Sequence, residues 1–157
     1  MQRKNIDLMA PVGSYESLMA AIQAGANSVY FGIEKLNMRA RSSNNFTFED
    51  LKNIVNICDE AGVKTYLTVN TIIYDHELEK MRQVVDAAAE SKVTAIIASD
   101  ISVMQYARKK GVEVHASTQL NISNIEAVEF FSNFCDVMVT ARELTLDQVA
   151  DITYQIK

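Results

Sequence analysis

Three glycines set the rhythm of this chain. Gly25 follows YESLMAAIQA and precedes ANSVYFG, Gly62 follows LKNIVNICDEA and precedes VKTYLTVN, and Gly111 follows ISVMQYARKK and precedes VEVHAST. Glycine just past a helix end takes the left-handed backbone at no steric cost, so each is predicted to stop a helix shortly before a new strand. Two further units keep the cadence without the glycine: SKVTAIIASD leads into a helix from about Ile101, and NFCDVMVTAREL leads into LTLDQVADITYQIK. With IDLMAPVG at the front, the chain reads as six βα units, and no hairpin signal such as Asn-Gly separates the strands.

The strands IDLMA, SVYFG, KTYLTV, TAIIA, EVHA and DVMVT are short and apolar, as parallel strands covered on both faces tend to be. Helix starts are marked by caps: Ser14 with Ser17, Thr47 with Asp50 and Thr145 with Gln148, each pair three residues apart. Six consecutive βα units admit a doubly wound open sheet or most of an eight-fold barrel. The regular repeat favours an incomplete TIM-type (β/α) barrel of about six parallel βα units. A full barrel takes about 250 residues, and this chain has 157. Its first and last strands are therefore expected to have open edges, through which it could form a homo-oligomer or dock as an assembly module.

A composition that is 48% hydrophobic and 22% charged, with no Pro/Gly/Ser linker, predicts one domain over residues 1–157 with an ample core. The net charge of −5 disfavours a broad nucleic-acid footprint and gives no reason to expect DNA as a partner. The sequence shows no apolar run of signal-peptide or membrane-spanning length, so no membrane partner is expected and a cytoplasmic location is. Cys58 and Cys135 lie far apart among apolar neighbours and read as reduced core thiols. Two cysteines cannot by themselves supply the four ligands that iron–sulfur clusters usually take, so no metal ligand or cofactor is assigned within the segment.

In either architecture the loops at the carboxyl ends of the strands converge on the ligand site. Those ends carry Gly13 and Ser14, then Gly32, Asn37, Arg39 and Arg41, then Asn70, then Ser99 and Asp100. His115, Ser117, Gln119 and Asn121 follow the fifth strand, and Thr140, Arg142 and Glu143 the sixth. The set is rich in amides, hydroxyls and guanidinium groups and poor in paired carboxylates and metal-binding spacings. His115, Gln119 and Asn121 are the catalytic or orienting candidates. Arg39, Arg41, Asn70, Ser117, Arg142 and Glu143 are the substrate-binding candidates. Arg39 and Arg41 alternate so that both can face one side of an extended loop and hold a carboxylate or phosphate. Competing structural readings exist: His115 as a satisfied core histidine, Ser14 and Asp100 as helix caps, Glu143 as a charge at a helix start, and Met9, Met19, Met38 and Met104 as packing residues.

The segments A-P-x-G-S, V-Y-F-G, R-A-R followed by N-F-T, T-x-N-T, H-x-S-T-Q-x-N and A-R-E-L occur in this order along essentially the whole chain. Together they resemble the collagenase-like peptidase family of unassigned mechanism, the U-thirty-two group. The resemblance implies a barrel-type N-terminal part of a longer protein. It also implies one of two activities, a peptidase or an oxygen-independent hydroxylase of tRNA, ribosomal RNA or quinone precursors. In the hydroxylase case it further implies an iron–sulfur cluster in the full-length parent and prephenate, a small dicarboxylate, as oxygen donor. On that reading the parent is a hydroxylase of tRNA uridine, Arg39, Arg41 and Arg142 hold the donor or phosphates, and His115, Gln119 and Asn121 orient the substrate. The residues themselves offer a hydrolase little: no H-E-x-x-H pair and no recognisable Ser-His-Asp arrangement.

Overall fold

The computed structural model describes residues 6–34, 36–37 and 46–156. Six strands, β1 Met9–Pro11, β2 Ser28–Phe31, β3 Lys64–Val69, β4 Ala95–Ala98, β5 Glu113–Ala116 and β6 Val137–Met138, form one sheet in sequential order. Every pairing is parallel. Helices α1 Tyr15–Gln23, α2 Phe48–Glu60, α3 Leu78–Ser91, α4 Ile101–Lys109, α5 Ile125–Ser132 and α6 Leu146–Gln155 follow the strands in turn. This is the incomplete (β/α) barrel, and strand order decides it, because a doubly wound sheet reverses direction part-way and this one does not.

The predicted punctuation is in place. Gly25, Gly62 and Gly111 have φ of 83°, 68° and 75°, and the pairs at Ser14, Thr47 and Thr145 all form reciprocal capping boxes. α3 ends without glycine, at Lys92 with φ 59°, a left-handed conformation that costs a side-chain-bearing residue about 1–2 kcal/mol. β1 begins at Met9, later than IDLMA suggested, and reaches Pro11. Proline is compatible with an outermost strand, where its missing N–H removes no ladder bond.

Alternation divides each strand between two faces. Val29, Phe31, Leu67, Val69, Ile96, Ala98, Val114 and Ala116 form one buried cluster with helix residues such as Leu51, Val85 and Met104. This outer layer, between sheet and helices, is the hydrophobic core. The opposite, inward positions follow from the register. One layer runs Pro11, Tyr30, Tyr66, Ala95, Glu113, and the next runs Thr68, Ile97, His115, Val137. The inner face is therefore much more polar than the outer one. Met104 is buried, but Met9 is 43% exposed and faces inward, and Met19 is also exposed, so neither is simply a packing residue; Met38 lies outside the described residues. Among the described residues no helix is long and apolar enough to cross a membrane.

Asp100 ties two loops together. Its Oδ1 accepts from the Ser102 N–H at 2.8 Å and its hydroxyl at 2.6 Å, and its Oδ2 accepts from the Ile73 N–H at 3.1 Å. Burial opposes ionisation, but these donors outweigh it and hold the carboxyl below the usual carboxylate range. Because the folded value is depressed, this stabilisation is present above the ordinary aspartate value near pH 4 and disappears as pH falls through the folded value. Asp100→Ala should lower stability by about 1–2 kcal/mol at pH 7. In urea midpoints, the gap between the two proteins should narrow clearly by pH 3.

Candidate active-site cleft

A cleft of about 310 Å³ opens on the inner face at the carboxyl ends of β3, β4 and β5. Its floor is Tyr30, Thr68, Ile97 and His115, its rim is Asn70, Ser117, Thr118 and Gln119, and Met9 on β1 and Val139 just past β6 flank it. Among the described residues that line it there is no carboxylate and one imidazole. The groups facing it are hydroxyls, amides, aromatic rings and aliphatic chains, which suits a neutral ligand with several hydrogen-bonding edges.

Local geometry fixes the rim. Ser117 N–H donates to the Ala98 carbonyl at 2.8 Å, carrying the β4–β5 ladder one residue past the strand. The chain then turns through a 3-10 helix, Thr118–Leu120. The buried Ser117 hydroxyl donates to Gln119 Oε1 at 3.0 Å, so the amide side chain is held over the strand end. Thr68 donates to the Phe31 carbonyl at 3.0 Å, which anchors the floor to β2.

His115 is the centre of the floor. It is 7% exposed, its Nε2 lies 2.8 Å from Glu113 Oε1, and its ring meets Tyr66 with centroids 4.9 Å apart at 50°. Burial raises the Tyr66 phenol above its ordinary value, while Lys64 pulls it the other way. Tyr66 thus stays a neutral phenol.

The structure gathers His115, Ser117, Gln119 and Asn70 around one cleft. Asn121 is exposed and closes the 3-10 turn with φ 51°, a backbone role that asparagine tolerates better than most residues. Arg142 and Glu143 are exposed beyond β6 and do not line the cleft. Arg39 and Arg41 lie outside the described residues. Asn37, whose carboxamide packs where a Cβ on Gly32 would sit, is buried after β2, and so any side chain at position 32 would displace it. Sequence reasoning missed the strand contributions from Tyr30, Thr68, Ile97 and Glu113. Only Glu113 left a direct signal, two residues before His115 on the same face of a strand.

Burial pushes both thiols up to about 11. Cys58 sits in α2, and Cys135 precedes β6 with its Sγ 3.7 Å from Met104 Sδ. Both belong to the outer core, with β3, β4 and β5 between them, and no group of three His, Cys, Asp or Glu among the described residues could hold a metal ion. These thiols do not fit an iron–sulfur cluster. Neither should react with a thiol-specific disulfide reagent at pH 7 in the folded chain, and both should react once urea unfolds it.

The chain belongs to peptidase family U32, whose family model matches residues 13–157. It is 64% identical over 152 residues to a protein named collagenase from Porphyromonas gingivalis. It is 30% identical over 156 residues to tRNA hydroxylation protein P1 of Bacillus subtilis, and 32% identical over 149 residues to the 23S rRNA 5-hydroxycytidine synthase of Escherichia coli. These alignments take in 97%, 98% and 94% of this chain but 37%, 37% and 22% of the relatives. The chain thus spans little more than a third of the first two. A solved U32 peptidase superimposes with a TM-score of 0.78 at 13% identity, over all of this chain and 68% of that one. The deoxyribose phosphate aldolase of Aeropyrum pernix superimposes with a TM-score of 0.66 at 15% identity, over 94% of this chain and 67% of that one. Both likenesses concern the barrel-type fold.

Proposed function

We propose that this chain forms the base-recognition side of an RNA pyrimidine hydroxylase, with a uridine of tRNA as the substrate of the full-length protein. The observation that carries the reading is the cleft lining. A pyrimidine is a neutral, flat ring edged with N–H donors and carbonyl acceptors, and the cleft offers Asn70, Ser117, Gln119 and His115 around Tyr30 and Ile97. Relatives named for hydroxylation of tRNA and of 23S rRNA support the same substrate class. RNA phosphates and a dicarboxylic oxygen donor need cations. Arg142, exposed beyond β6, offers one, and Arg39 and Arg41 remain the other candidates for that task. The iron–sulfur cluster that accompanies this reading would bind elsewhere in the full-length protein, since Cys58 and Cys135 are unsuited to it, and prephenate would be the dicarboxylic donor that these arginines hold. A tRNA substrate places the activity in the cytoplasm.

The relative named collagenase favours a second reading, a peptidase. Against it stand the commitments of the available groups. The Ser117 hydroxyl is given to Gln119, His115 Nε2 faces Glu113, and both thiols are held protonated by burial. None forms a nucleophile–base pair. Incubating the purified, cluster-loaded full-length protein with prephenate as oxygen donor and unmodified tRNA and, separately, with gelatin distinguishes the two. Hydroxylated uridine with intact gelatin is the expected result, and cleaved gelatin with unmodified tRNA would overturn the assignment.

A further inference from the structure

The geometry points to Glu113 as the positioning residue of the cleft: it fixes His115 in the tautomer protonated at Nε2, so that the imidazole presents Nδ1 as a hydrogen-bond acceptor. This rests in part on the reading of His115 as a substrate-contacting group. Glu113 and His115 are two residues apart on β5, so both side chains point inward, one layer apart. Glu113 Oε1 lies 2.8 Å from Nε2. An ionised carboxylate only accepts, so whenever the ring is neutral its proton sits on Nε2, which leaves a lone pair on Nδ1. No described residue donates to Nδ1, and that atom is not among those sealed from solvent without a partner.

The ring cannot rotate freely out of this arrangement. Ala95 stands in register with both Tyr66 and Glu113, and its methyl group leaves the space in which the Tyr66 ring tilts against His115. Glu113, level with Ala95, on one side and the Tyr66 ring on the other hold the imidazole in one orientation. The acceptor it offers suits an N–H donor on a neutral ligand. The imide of a uracil ring is such a donor.

The test is nitrogen-15 NMR of histidine-labelled full-length protein, with the His115 signals identified by their loss in His115→Gln. The wild type should show a protonated Nε2 and an unprotonated Nδ1. Glu113→Ala should scramble the tautomers and lower kcat about 10- to 100-fold, the size of one charge-assisted hydrogen bond. Glu113→Gln keeps a carbonyl acceptor and should restore the tautomer and most of kcat. A wild-type ring protonated at Nδ1, or a tautomer or kcat indifferent to Glu113→Ala, overturns the inference. If the tautomer obeys Glu113 but His115→Gln hydroxylates RNA normally, the orienting contact stands and the substrate role of His115 falls.

Discussion

In the full-length protein, His115→Gln is expected to lower kcat/KM for RNA hydroxylation about 100-fold while leaving the urea midpoint nearly unchanged. Glutamine can still donate an N–H toward Glu113, so the inner layer keeps its hydrogen bond. It has no ring to meet Tyr66 and no acceptor where Nδ1 stood. A core histidine with no substrate contact would give the reverse pattern, a lost urea midpoint and unaltered turnover by the molecules that remain folded. Steady-state kinetics on unmodified tRNA, beside equilibrium unfolding of the same preparations, separate the two outcomes.

The largest effect on stability should come from the opposite face of the same sheet. Leu67 lies on β3, third in the six-stranded order, and is fully buried against the helices. Leu67→Ala removes the apolar contacts and leaves a cavity that fixed neighbours on both sides cannot fill. The expected loss is about 2–5 kcal/mol. Val137→Ala, on the inner face of β6 where the side chain is 42% exposed, should cost less than about 1 kcal/mol. Comparable losses at the two positions in urea titrations would mean that the core is not where the strand register puts it.

The architecture was legible because its signals are local. A left-handed glycine, a capping box and a run of apolar strand residues each depend on a few neighbouring positions, and all three recur along the chain. Where the left-handed residue was Lys92 or Asn121, no glycine announced it, and the turn became visible only in three dimensions. The cleft was half legible. Its rim, from Ser117 to Gln119, follows a strand directly and looks polar in a one-dimensional reading. Its floor comes from Tyr30, Thr68 and Ile97, ordinary strand residues whose common destination depends on how three strands are staggered. Register is a long-range property that a single sequence does not display. Arg142 and Glu143 show the converse. They stand at the correct end of the barrel, but lie past an outermost strand and outside the cleft.

The most direct test of the cleft as a pyrimidine site is nucleoside mass spectrometry of tRNA from a deletion strain. The strain would be complemented with the full-length wild type or with a full-length Ser117→Ala/Gln119→Ala variant, both at matched expression. The wild type should restore a hydroxylated uridine, and the variant, whose rim loses both the hydroxyl and the amide, should leave it largely absent. Full restoration by the variant would contradict the account, because the groups read here as gripping the base would be dispensable.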